Sequence, residues 1–225
     1  MRASDRAYVT LLGEIQSGAL PPGTVLGEVE QAARLGVSRT PLREAIGRLA
    51  ADGLVAQQSP RVTVVPDVDT DEIRALFDVR RALEETAARL AAERGDRATF
   101  AALATAFERT DIDGDEGLDD YYAVIARFDE RLDAAVRNDY LTAALRTVRT
   151  HLVRVRRLAR DNPARLTQSI AEHRLIASAI AAGDADLAAH ATHVHLHNAL
   201  TNILAALPET TSAASPATPT SNLHE

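Results

Sequence analysis

The sequence predicts a mostly α-helical chain in two parts: a small head of three helices and a hairpin, then a larger body of helices alone. Three observations carry this. Apolar residues recur at helical spacing along most of the 225 residues. The strand signals, Leu54 to Gln58 and Val62 to Val65, sit side by side around Ser59-Pro60-Arg61. The charge changes near Val65-Pro66-Asp67: residues 1–66 carry seven Arg and six acids, net +1, and residues 67–225 carry eighteen Arg and twenty-six acids, net −8. The expected units are therefore 1–66, 67–207 and, from Pro208, a Ser-, Thr-, Pro- and Ala-rich segment read as a disordered tail over 208–225.

Composition removes several function classes. There is no Cys, so disulfide scaffolds, zinc–thiolate fingers and cysteine nucleophiles are excluded. No apolar run approaches the ~18–20 residues of a membrane helix. The N-terminus, MRASDRAYVT, lacks the apolar stretch of a secretory signal. The expectation is a cytoplasmic protein without membrane contact. A net charge of −7 argues against a generic polyanion binder. The near-neutral head still permits a DNA-reading module if its Arg residues share one face.

In the head, Ala7, Leu11, Leu12 and Ile15 give the first helix, which Gly18-Ala19-Leu20-Pro21-Pro22-Gly23 ends. Leu26 to Leu35 is a short second helix, with Gly36 at the position of a left-handed C-terminal residue. The third helix has Ser38 or Thr40 as N-cap, Pro41 in its first turn and an inner stripe of Leu42, Ala45, Ile46 and Leu49. Gly53 ends it, and the hairpin follows. This order is a winged helix-turn-helix. On the third helix, Arg39 and Arg43 fall on one outer edge, and Gly47 leaves room for close approach. Arg at the start of a groove-inserted helix chelates guanine or grips phosphate, and Ser38 and Thr40 with first-turn amides bind phosphate oxygens. The alternative is a solvated face in which the two Arg pair with Glu44 and its neighbours.

Two segments, Ile15-Gln16-Ser17-Gly18-Ala19-Leu20-Pro21-Pro22-Gly23 and Gly36-Val37-Ser38-Arg39-Thr40-Pro41-Leu42-Arg43-Glu44-Ala45, followed by Asp52-Gly53-Leu54-Val55, resemble the N-terminal domain of GntR-family transcriptional regulators over roughly residues 7–65. The resemblance implies DNA contacts by Ser38, Arg39, Thr40 and Arg43. The wing tip departs from the family, having no glycine in Ser59-Pro60-Arg61; Arg61 is the replacement contact to phosphate or minor groove. A second-helix Arg used by some members falls near Val29 and is missing.

From Thr70 to Leu207, breaks at Gly95-Asp96, Asp111 to Gly117, Asn138-Asp139, Asp161-Asn162-Pro163 and Gly183-Asp184 separate about six helices. Polar residues interrupt their apolar stripes: Arg80 and Glu84 with Ile73, Phe77, Ala87 and Ala91; Asp129 with Leu118, Ile125, Leu132 and Val136; His173 with Leu166, Ile170, Ala177 and Ile180; and His195 with Ala188, Ala191 and Asn202. Burying such groups is costly unless they are paired or coordinated. One reading gathers them in a polar cavity, where Asp129, His173 and His195 offer three ligands to a divalent metal and Arg80 clamps a carboxylate. The other leaves each histidine as a satisfied core residue and pairs Asp129 with Arg80. His190, His193 and His197 lie opposite His195 on the last helix and are read as a solvated or interface face. Tyr121 and Tyr122 are neighbours whose relation to the cavity the pattern leaves open.

Asp78-Val79-Arg80-Arg81-Ala82-Leu83-Glu84, Phe128-Asp129-Glu130-Arg131-Leu132, Glu172-His173-Arg174 and Gly183-Asp184 followed by His195-Leu196 resemble the FCD ligand-sensing domain of the FadR subfamily over roughly residues 70–205. The resemblance implies an antiparallel bundle of six or seven helices, a divalent metal (zinc, manganese or nickel) and a small carboxylate effector. His173 and His195 match two of the family's ligands. Asp129 stands at its first His position, Ile125 stands at its Asp position, and Arg80, the expected effector contact, matches the family's Arg on the first helix of this domain.

The leading expectation is a homodimeric, ligand-responsive regulator, most simply a repressor, on a near-palindromic double-stranded operator. A regulator that has lost metal and effector sensing is the second. A metal-dependent hydrolase using Asp129, His173 and His195 to activate water is the third.

Overall fold

Apolar spacing and capping chemistry decide where this chain coils. The computed structural model describes residues 1–59, 62–67, 69–112, 114–156 and 162–207. The head holds α1 (Ala3–Ser17), α2 (Glu28–Leu35) and α3 (Arg39–Ala51), then β1 (Ala56–Ser59) and β2 (Val62–Val64). α2 stops at Gly36, whose φ of +62 is a left-handed conformation that disfavours any residue with a Cβ. β1 and β2 pair antiparallel, Ala56 opposite Val64, with a register shift between Gln57 and Ser59. Leu54 and Val55, expected in the first strand, are instead buried in the head core ahead of it.

The segment before α2 also joins the hairpin. Val25 bridges Val64, the Leu26 N–H donates to the Thr63 carbonyl at 2.8 Å, and the Val65 N–H donates to the Thr24 carbonyl at 3.0 Å. Leu11, Ile15, Leu26, Leu42, Leu49, Leu54 and Val65 close the head core.

The body is α4 (Thr70–Arg94), α5 (Arg97–Glu108), α6 (Gly114–Val136), α7 (Asp139–Arg156), α8 (Pro163–Ala182) and α9 (Ala185–Ala206). Among the described residues, five of them start under a capping carboxylate or amide: Asp69 accepts from Glu72 N–H, Asp96 from Thr99, Asn138 from Leu141, Asn162 from Arg165 and Asp184 from Leu187. Each such cap contributes about 1 kcal/mol. Contacts between helices give their directions. Glu85 meets His193 and Arg89 meets Asp186, so α4 and α9 run antiparallel. Asn162 meets Asn202 and Glu172 meets His195, so α8 and α9 do too.

Small residues line the central seam. Ala87, Ala88 and Ala91 of α4, Ala177 of α8 and Ala188 and Ala191 of α9 are buried in one core with Phe100, Phe107, Phe128, Leu132 and Ile180. A second core joins Ile73, Phe77, Leu152, Leu196 and Ile203. Head and body touch where α1 meets α7: Gln16 Nε2 donates to the Thr150 carbonyl at 3.2 Å, and Gly53 lies against the His151 ring. No described helix is long and apolar enough to cross a membrane. The 208–225 segment, expected as a disordered tail, lies outside the described residues.

Candidate functional site

The start of α3 is an exposed polar edge of the head. Ser38 is the N-cap of α3, with extended backbone and no side-chain capping hydrogen bond. Ser38, Arg39, Thr40 and Arg43 are all exposed, while Leu42, Ala45 and Leu49 on the opposite side are buried. The edge is organised by an acid. Both carboxylate oxygens of Glu28, in the first turn of α2, accept from Arg43 Nε at 2.9 and 2.8 Å, and Arg39 Nη2 lies 3.5 Å from the same carboxylate. The hydrogen bond from Arg43 holds the Glu28 carboxyl below its usual pKa and raises that of Arg43 in return. The partner of the two Arg is thus Glu28 and not Glu44, because the helix-turn-helix brings the start of α2 over the start of α3. A Cβ added to Gly47 would meet open space. Arg61, expected to contact DNA from the wing, lies outside the described residues.

The body holds a half-open pocket of about 70 Å³. Arg80, Arg165, His173, His195, Tyr121, Tyr122 and Ile125 are among its walls. Arg80 is 2% exposed; its Nε and Nη2 close on the two oxygens of Glu84, one turn along α4, and its guanidinium lies over the Phe77 ring. Arg80 therefore does not need Asp129. That residue is held by Arg149 Nη2 at 3.4 Å, while Arg149 Nη1 donates to Asp133 at 2.8 Å. Burial opposes the charge of Arg149, but Asp129 and Asp133 outweigh it and keep its pKa above the usual value.

The two histidines meet edge to face, with ring centroids 4.3 Å apart. His173 Nδ1 contacts the Ser169 carbonyl at 2.8 Å and its ring stacks on Phe107. His195 Nδ1 contacts Glu172 Oε2 at 2.7 Å. Glu172 is the hub of this wall, since Arg165 Nη2 donates to the same oxygen and Asn198 Nδ2 donates to Oε1. Arg165 and Ser169 were not singled out in the sequence, and Glu172 entered only as a neighbour of His173. A turn-by-turn spacing of Arg165, Ser169 and His173 on α8 is the signal that places them on one face.

Asp129, His173 and His195, the expected metal ligands, border one recess with Arg80 and Glu84. They are not gathered as a ligand set. Among the described residues, no group of three or more His, Asp or Glu is arranged to hold a metal ion. Asp129 is drawn to Arg149, and Ile125 supplies only hydrocarbon. With Asp129 on Arg149, the charged groups facing the cavity are guanidinium–carboxylate pairs. Tyr121 donates to Ser169 Oγ at 2.7 Å. His190, His193 and His197 are exposed, and His193 pairs with Glu85.

A winged head with an arginine-bearing third helix, carried on a helical bundle, defines a DNA-binding transcriptional regulator. The chain belongs to the GntR family and carries an FCD domain: residues 3–65 match bacterial regulatory proteins of the gntR family, and residues 75–198 match the FCD domain. It is 31% identical to the "probable D-xylose utilization operon transcriptional repressor" of Paenarthrobacter nicotinovorans, over 81% of this chain and 80% of that one. It is 26% identical to the transcriptional repressor RspR of Escherichia coli K12, over 86% of this chain and 85% of that protein. A solved GntR regulator from Rhodococcus sp. RHA1 shares the fold, with a TM-score of 0.73 and 23% identity over 91% of this chain and 99% of that one. The matched families and relatives are regulators and not enzymes, so the hydrolase reading falls away.

Proposed function

We propose that this regulator is a cytoplasmic homodimer that represses by binding a near-palindromic operator through α3, and that a small carboxylate held beside Arg80 changes its grip. The observation that carries the reading is the exposed row Ser38, Arg39, Thr40 and Arg43 at the N-terminal end of α3. In this reading Arg39 and Arg43 leave Glu28 for guanine edges or phosphates. The Ser38 and Thr40 hydroxyls and the first-turn amides take phosphate oxygens, and Arg61 adds a wing contact. Two heads reach successive major-groove faces about 34–36 Å apart. Repression is favoured by the relative named as a repressor of a D-xylose operon.

The effector acts by binding one arrangement of the heads better than the other. A buried guanidinium on the wall of the half-open pocket supports an anionic effector. A metal-assisted form, with zinc, manganese or nickel on Asp129, His173 and His195, requires Asp129 to turn away from Arg149. The Nδ1 contacts of both imidazoles favour it, since ligating histidines are oriented in this way.

Selection of duplexes from a random pool by the full-length protein tests the core of the reading. The expected product is an inverted repeat bound by a dimer in sedimentation; no enriched sequence, or a monomer on a single half-site, rejects it. The reading without effector sensing is favoured by Ile125 on the cavity wall and by Asp129 held to Arg149. Elemental analysis with a thermal-shift screen of small carboxylates separates the two.

A further inference from the structure

We infer that Val29 is a specificity-determining residue of the operator contact, its methyl groups packing on the 5-methyl of a thymine in the major groove. This rests on the operator-binding reading above and adds to it a reader and the base it selects. Val29 is the second residue of α2 and is 69% exposed. Among the described residues it is the one large hydrophobic side chain of α2 and α3 left exposed.

Its place on the head follows from the ion pairs around it. Arg34 of α2 holds Glu14 and Arg48 of α3 holds Asp5, so these flanks of the two helices face α1. At about 100° per residue, Val29 and Ala33 lie on the other flank of α2, and Arg39, Arg43 and Gly47 on the other flank of α3. Glu28 joins the two flanks, since it precedes Val29 and holds both Arg43 and Arg39. Val29 therefore shares the edge that carries the arginines. Consecutive Cα atoms are about 3.8 Å apart and stacked bases about 3.4 Å, so its base lies within about three base pairs of the one that Arg43 reads.

The fold gives no reason for valine there. The first turn of a helix favours acids, a rule that Glu28 and Glu30 obey. A β-branched residue is a weaker helix former, and an exposed one adds nothing to the head core. Against a base edge the same side chain is apt. It is stiff at χ1, so ordering it costs little, and its methyl groups offer the apolar surface that tells thymine from cytosine. It carries no charge and displaces no counterions, which sets its contribution apart from that of the arginines.

Fluorescence anisotropy on the full-length protein tests this with the operator selected from the random pool. Each thymine in turn is replaced by deoxyuridine in both half-sites, which removes the 5-methyl and leaves base pairing intact. The variants are Val29→Ile and Val29→Ala, whose alanine is the better helix former, with folding checked by circular dichroism. One thymine per half-site is expected to be sensitive. Its replacement weakens wild-type binding about fourfold per half-site, the effect of one buried methyl. Val29→Ala is expected to lose about as much on the unmodified operator and to be indifferent to that replacement, with the salt dependence of binding unchanged. Val29→Ile is expected to keep the sensitivity.

A selected operator with no sensitive thymine, or a sensitivity that persists in Val29→Ala, overturns the inference and leaves operator binding standing. So does a Val29→Ala loss that is equal on the operator and on unrelated DNA, since Val29 then packs on the sugar–phosphate backbone. Failure to enrich any operator overturns both the inference and the reading beneath it.

Discussion

At the scale of single residues, the head turns on a three-way contact between Glu28, Arg39 and Arg43. The same carboxylate orients both guanidiniums and masks part of their charge. Arg43→Ala is expected to weaken operator binding by about 1–3 kcal/mol per half-site, roughly 5- to 150-fold for each, with thermal stability unchanged because the side chain is exposed. Fluorescence anisotropy with the selected operator measures the first, and a melting curve the second. Glu28→Gln is expected to act in the opposite sense on unrelated DNA. Freed guanidiniums should tighten non-specific binding about threefold at low salt, with the gain fading as salt rises. Arg39 and Arg43 were legible in the sequence because helical spacing alone places them on one edge. Their partner was not, because the Glu28 contact is made by the turn between two helices. The same limit hid the role of Glu172, whose partners His195 and Asn198 lie on the neighbouring α9. Asp129 was legible as a polar residue on an apolar face, but Arg149, the residue that claims it, lies on another helix, and no pattern within either helix links them.

At the scale of elements, boundaries were readable where chemistry marks them. Asp96, Asn162 and Asp184 cap helices at breaks seen in the sequence, and Gly36 and Gly183 stop helices in left-handed conformations. The edge formed by Val25 was not readable, since one bridge leaves no periodic trace. The packing of α1 on α3 has a pH signature. Tyr8 donates to Asp52 at 2.6 Å under the Arg48 guanidinium, and burial, with that hydrogen bond, pushes its pKa up to about 12. A phenol pKa raised by folding stabilises the head fully below its ordinary value of 10.0, and this contribution is lost as pH climbs from there through about 12. Urea melts of wild type should weaken across that window, and Tyr8→Phe should remove that part of the pH dependence. α7 joins the two units. Within one turn, Arg149 holds Asp129, Thr150 accepts from Gln16, His151 packs on Gly53 and Leu152 lines the cavity. Gln16→Leu is expected to cost about 0.5–1.5 kcal/mol of stability. It should also blunt the effect of a bound carboxylate on operator affinity more than it changes affinity without one; an unaltered response would remove α7 from the coupling.

At the scale of the whole molecule, the alanine seam sets how the bundle tolerates change. Ala91 and Ala188 are fully buried between α4, α8 and α9. Ala91→Leu is expected to destabilise by about 1–3 kcal/mol through overpacking, read as a lower denaturation midpoint with the slope preserved. The uneven charge has a wider consequence. The chain beyond the head, net −8 over residues 67–225, behind a head of net +1 repels the phosphate backbone from every approach except head first. Random stretches of chromosome therefore hold this protein weakly, and it spends its time in solution or on its own address. A few properly seated arginines then suffice to tell that address from the background, since little background adhesion has to be overcome.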